Sequence, residues 1–142
     1  MHRLDTELHN HLEDQGVQYI QFSFRWCVAI FFFLSPHRFY DLISFNRMNC
    51  LLLRELPLRA IIRVWDTYLS EERGGFENFH VYVCAVILKT YKDRLMVMDF
   101  QAILMFLQDM PTQEWGESDV ECILSQAYIL STLFDDSPSH LN

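Results

Sequence analysis

Residues Met48 to Leu69 read MNCLLLRELPLRAIIRVWDTYL, and the proline at position 57 divides them into two helical patterns. Met48, Leu51, Leu52 and the Glu55–Leu56 pair carry helical spacing. A proline disfavours the α region for the residue before it, so a first helix should stop at Leu56. Pro57 itself suits the first position of a second helix, where its missing N–H is not needed. Leu58, Ile61, Ile62, Trp65, Tyr68 and Leu69 then fall at i, i+3, i+4, i+7, i+10 and i+11, which predicts one buried apolar face. Arg59, Arg63, Asp66 and Thr67 are left for the other side, with Arg63 in reach of Asp66. The predicted unit is a helix, a proline corner and a second helix.

Working outward, the N-terminal side opens with Leu4, Leu8 and Leu12 on one stripe, and Gly16 is placed to end that helix in the left-handed region. Asp5, His9 and Glu13 share another face, read as solvated mixed charge and not as a metal site. Tyr19, Phe22 and Trp26 follow on a buried face with Arg25 beside them. On the C-terminal side, Ser70 to Asn78 reads as a polar connection. Phe79 to Leu95 is apolar nearly all round and predicts a central core helix. Asp99 is set to cap a helix carrying Ala102, Ile103, Phe106 and Leu107, which Pro111 ends. Trp115-Gly116 reads as the anchor of the next turn. Ser118 and Glu121 form an S-x-x-E box heading a last helix with Val120, Ile123, Leu124, Ala127, Leu130 and Phe134 on one face. Asp135 to Pro138 reads as a polar tail. No segment alternates as a strand does, and the fold class is all-α.

Composition excludes several functions. The chain has 142 residues, 51% of them hydrophobic and 21% charged, the balance of one packed domain. A formal charge of −8 argues against nucleic acid as a partner, because phosphate binding needs clustered Lys and Arg. Cys27, Cys50, Cys84 and Cys122 are widely spaced with no C-x-x-C pair, so they read as reduced thiols and not as zinc ligands. The first twelve residues are too polar for a signal peptide. No Gly-rich phosphate loop, G-x-S-x-G elbow or Cys-His nucleophile pairing is present. The expected cofactor set is therefore empty, with no metal site.

The order Arg54-Glu55-Leu56-Pro57, then Arg63-Val64-Trp65-Asp66 and Leu69, resembles the TBC domain of Rab GTPase-activating proteins. Gln21-Phe22-Ser23-Phe24-Arg25-Trp26 resembles the Phe-x-x-Arg-Trp-type element that precedes them there. His80 to Cys84 and Pro111 to Gly116 are similar to the family's member-twenty-two branch. The resemblance implies that residues 1–142 are the C-terminal half of such a domain, with Arg25, Trp26, Arg54, Glu55, Pro57, Arg63, Trp65 and Asp66 in structural roles. It also implies a Rab-type small GTPase as partner and a cytoplasmic setting peripheral to endomembranes.

Two departures bear on function. Cys27 to Arg47 is an insertion relative to the family pattern, read as the product of an altered transcript, the alternative being a loop that binds a partner or dips into a membrane. Its apolar run from Cys27 to Leu34 is far shorter than the roughly 18 to 20 residues of a spanning helix, so no transmembrane segment is expected. The second departure is catalytic. The family's Tyr-x-Gln-Gly motif finds only Tyr19-Ile20-Gln21-Phe22, without its Gly and in the wrong part of the domain. No aspartate has an arginine three residues later, as Ile-x-x-Asp-x-x-Arg requires. The expected function is thus a GTPase-activating protein for Rab-type GTPases, present here as scaffold without the catalytic Arg and Gln. This regulator would not itself be an enzyme, and the chain alone would be inactive. The alternative is a noncatalytic helical module that binds a small GTPase or another protein.

Overall fold

Asp5 starts the first helix, α1 (Thr6–Asp14), by accepting the Leu8 N–H on its side chain at 3.0 Å, which satisfies one of the four donors a helix start leaves free. The helix ends as its sequence predicts. Gly16 takes φ +75°, and the N–H groups of Gly16 and Val17 return to the carbonyls of Glu13 and Leu12. That pair of bonds is a Schellman closure, with buried Val17 and Leu12 as its hydrophobic contact.

The computed structural model of the chain describes residues 4–19, 21–22, 52–53, 55–71 and 75–135. After α1 come α2 (Leu58–Ser70), a π-helical segment (Gly75–Phe79), α3 (His80–Thr90), the single turn α4 (Lys92–Leu95), α5 (Phe100–Gln108) and α6 (Glu117–Asp135). Among the described residues there is no strand, and the class is all-α as expected. No described helix is long and apolar enough to cross a membrane.

The core lies where α6 meets α3 and α2. Val83, Val86, Ile87 and Leu88 of α3 are buried with Ile61 and Val64 of α2 and with Val120, Ile123, Leu124 and Ala127 of α6. Burying an aliphatic side chain of this size stabilises by about 1.5–3 kcal/mol, so this junction dominates the packing.

Four expectations change. The predicted Phe79–Leu95 helix is interrupted at Tyr91, which leaves helical geometry (φ −98°, ψ 12°). Its buried ring meets Phe106 edge-on at 5.1 Å and stacks with Trp115 at 6.2 Å between centroids. The connection expected from Ser70 to Asn78 is partly helical, since α2 runs through Ser70 and a π-helical segment covers Gly75–Phe79. The S-x-x-E box does not form, because α6 begins at Glu117, two residues before the box would allow. Asp119 accepts the Gly116 N–H at 2.8 Å in its place. Ahead of Pro57 no helix runs on to Leu56: Leu52 has φ 65°, and its carbonyl accepts the N–H groups of Glu55 and Leu56. The expected caps at Asp99, through the Ala102 N–H at 2.9 Å, and the Trp115 anchor are as read. Cys27 to Arg47, Met48 to Leu51, and the tail beyond Asp135 lie outside the described residues.

The N-terminal helix is fastened to the segment from Lys92 to Met98. Lys92 Nζ lies 2.9 Å from Asp5 and 2.7 Å from Glu7, and His11 Nε2 donates to the carbonyls of Leu95 and Met98 at 3.0 and 3.2 Å. Since both partners are acceptors, Nε2 carries the proton. The Leu8 N–H first, and then Lys92, hold the Asp5 carboxyl below its ordinary range. Hydrogen bonds to Glu7 and then Asp5 raise Lys92 above its own.

Two outcomes follow for stability. Gly16→Ala should cost about 1–2 kcal/mol by urea denaturation, from the left-handed backbone alone, because nothing lies within 4 Å of an added Cβ. The Asp5 contribution is present above the unfolded carboxylate range and is lost as pH falls through the lowered folded value. The Lys92 contribution is present below the unfolded lysine range and is lost as pH rises through the raised folded value. Asp5→Asn should therefore lose less stability than the parent between pH 7 and pH 3, as read from urea midpoints.

Candidate functional site

The proline corner is built by two fixed turns. Pro57 sits at the N-cap of α2 with φ −61° and ψ 150°, one position earlier than expected, and its carbonyl accepts the Ile61 N–H at 3.0 Å. Ahead of it, Glu55 is buried at 4% exposure. The hydroxyl of fully buried Thr112 donates to the Glu55 carbonyl, which pins the corner to the link between α5 and α6. No local signal marks Thr112, which lies 57 residues from its partner.

Along α2 the buried stripe is Ala60, Ile61, Val64 and Tyr68, with Trp65 half-buried against it. The predicted face is therefore rotated. Leu58, Ile62 and Leu69 are 69%, 52% and 74% exposed. Apolar residues occupy so much of this helix that spacing alone admits either stripe, and contact with α6 and the π-helical segment selects the one containing small Ala60. Trp65 supports the core without being enclosed by it, so Trp65→Ala should cost less than the roughly 3–5 kcal/mol of a fully buried tryptophan.

Arg63 faces away from Asp66, which is exposed. Its Nε and Nη2 donate to the two carboxylate oxygens of Glu121 at 2.6 and 3.3 Å, and Nη1 donates to Thr67 Oγ1 at 2.6 Å. The bidentate pair links α2 to α6. Both side chains are about half exposed, at 48% and 52%, so it orients the helices and contributes less than about 1 kcal/mol. Arg25, Trp26 and Arg54 lie outside the described residues.

Gln21 is exposed, and its Oε1 accepts the Gln18 N–H at 2.9 Å in a local turn. On α1, His9 Nδ1 meets the Tyr19 hydroxyl at 2.6 Å, while Nε2 lies 3.4 Å from Glu13. That face holds the chain after Gly16 against the helix. Among the described residues, no group of three or more His, Cys, Asp and Glu could hold a metal ion. The corner and α2 thus offer a supported surface with an exposed apolar ridge.

Comparison with known proteins gives this geometry its setting. A family model for the Rab-GTPase-TBC domain matches residues 32–96, a span that opens inside Cys27 to Arg47 and includes the whole proline corner. The crystal structure of the Ypt/Rab-GAP domain of Gyp1p aligns with a TM-score of 0.73 at 42% identity, over 94% of this chain and 34% of that one. The chain belongs to the Rab-GTPase-TBC family. Two further TBC relatives agree. GTPase-activating protein gyp1 of Schizosaccharomyces pombe is 42% identical over 139 residues, and human TBC1 domain family member 22B is 44% identical over 139 residues. These alignments take in 98% and 97% of this chain, which spans only 23% of the length of either relative.

The TBC corner has a measurable dependence on one hydroxyl. Thr112→Val keeps the side-chain shape and leaves the buried Glu55 carbonyl without that donor, which should cost about 1–3 kcal/mol. Arg63→Ala should cost less than about 1 kcal/mol. Urea denaturation of both variants checks the order, and equal losses would contradict it.

Proposed function

We propose that this chain is the C-terminal scaffold of a domain that activates GTP hydrolysis by Rab-type small GTPases, with the catalytic arginine and glutamine supplied from outside it. The alignment with the Gyp1p Ypt/Rab-GAP domain carries the reading. The side chains support it. The Gln21 carbonyl group is engaged in its own turn, and the Arg63 guanidinium is spent on Glu121 and Thr67. Glu55, Pro57, Trp65 and the Thr112 contact serve to hold the corner. Arg25, Trp26 and Arg54 are assigned structural roles in the same scaffold, and Cys27 to Arg47 is assigned as an insertion ahead of the corner.

An arginine supplied in trans accelerates GTP hydrolysis by about 10³ to 10⁵, because it offsets charge developing on the phosphoryl oxygens. A helical scaffold has no substitute for that charge. The 142-residue chain mixed with GTP-loaded Rab proteins should therefore leave hydrolysis at its intrinsic rate, measured as phosphate release. Joining the chain, without Cys27 to Arg47, behind the upstream half of a TBC domain should restore stimulation. Stimulation of tenfold or more by the isolated chain, abolished by Gln21→Ala or Arg25→Ala, would refute the scaffold assignment.

A second reading, a noncatalytic module that binds a small GTPase or another protein, draws on the ridge of Leu58, Ile62 and Leu69. Binding of a GTP-loaded Rab without faster hydrolysis, weakened by Ile62→Asp, distinguishes it from a scaffold that needs its upstream half to bind at all.

A further inference from the structure

His80 opens α3 in the middle of the core, with 0% of its surface exposed. Its Nδ1 lies 2.9 Å from the hydroxyl of Tyr68 on α2, and its Nε2 lies 3.3 Å from Sγ of Cys84, one helical turn along α3. Tyr68 is itself 1% exposed, and its ring meets His80 edge-on at 5.6 Å. Cys84 is half-buried and in no disulfide. Three groups able to carry or pass a proton thus stand in a row, from a buried hydroxyl to a sulfur at the edge of the core. From α6 the core receives Val120, Ile123, Leu124 and Ala127, all apolar.

A buried imidazole cannot gain a proton unless the charge is matched nearby. Here the match is built in. When the Cys84 proton moves to Nε2, the resulting imidazolium donates from Nε2 to the thiolate and from Nδ1 to the Tyr68 oxygen. Neutral His80 keeps its one proton on Nδ1 and donates it to the Tyr68 oxygen, which leaves Nε2 to accept from the thiol. The charged ring keeps the Nδ1 bond, so both states are satisfied without rearrangement. A neighbouring protonated histidine favours the thiolate, and the thiolate is the nucleophile.

We propose that Cys84, His80 and Tyr68 form a reactive-thiol site whose substrate class is small hydroperoxides. The sulfur lone pair attacks one peroxide oxygen, and the O–O bond breaks. The departing hydroxide, or the alkoxide of an organic hydroperoxide, takes the Nε2 proton and leaves as water or as the alcohol. Sulfur is oxidised by two electrons to the sulfenic acid, the peroxide is reduced, and His80 returns to the neutral ring. The added oxygen lies beside the junction of α2 and α3, where it perturbs the contact that sets their register.

The test uses the whole chain with hydrogen peroxide as the probe and dimedone as the trap, read by peptide mass spectrometry. The pH profile of iodoacetamide alkylation is recorded at the same cysteine. Dimedone should label Cys84, and half-maximal alkylation should fall at least about one pH unit lower in the folded chain than in urea. Tyr68→Phe, which keeps the ring, should move the Cys84 midpoint towards the unfolded value and leave the Cys122 profile unchanged. Equal midpoints for Cys84 in folded and unfolded chain, or no dimedone label at Cys84, would overturn the proposal. Should Tyr68→Phe melt below the assay temperature, the comparison of the parent chain with and without urea decides alone.

Discussion

The hydrogen bond between Tyr68 and His80 is the contact that α2, α3 and α6 are arranged around. Both partners are enclosed, and a buried polar group that loses its partner costs about 1–3 kcal/mol. Sliding α2 along α3 by one turn would separate them. Apolar packing alone tolerates such slips, whereas this bond does not. The π-helical segment before α3 helps fix the same register, since Phe76 and Phe79 both meet the Tyr68 ring edge-on, at 5.3 and 6.0 Å.

Around that contact the molecule uses polar links of very different strength. The Thr112 hydroxyl on the Glu55 carbonyl is enclosed and specific, and it fixes where the chain enters α2. The Arg63–Glu121 pair is wet and weak, yet it spans the same two elements that the core already joins. Of the motif residues described, Glu55 lies inside, Pro57 stands at the bend, Trp65 leans on the core and Arg63 braces two helices.

Much of this was legible in the sequence wherever the signal was local. Gly16, Asp99 and the Val120–Ile123–Leu124–Ala127 stripe depend only on neighbours within a turn or two, and each stands where spacing put it. The family resemblance named the proline corner because its motif is contiguous. Several misreadings were tertiary. Glu121 looked like half of a capping box, but Arg63 lies across from it on α2. Tyr91 looked like a helix interior until Phe106 and Trp115 gave its ring a better place. The stripe on α2 was ambiguous because too many of its residues are apolar, and only the neighbours decide. His80 and Cys84 stand four apart in an otherwise apolar run, a visible oddity whose meaning depended on Tyr68.

The fastening of α1 has a consequence for the order of events during synthesis. His11 is bonded to carbonyls 84 and 87 residues further along, and Asp5 pairs with a lysine at a similar remove. Closing so long a loop adds little entropy beyond a shorter one, since the cost grows only with the logarithm of length. Timing is another matter. On the ribosome these acceptors do not exist until Met98 has been added, so the first helix of the chain cannot take up these bonds before the segment from Lys92 to Met98 has left the exit tunnel.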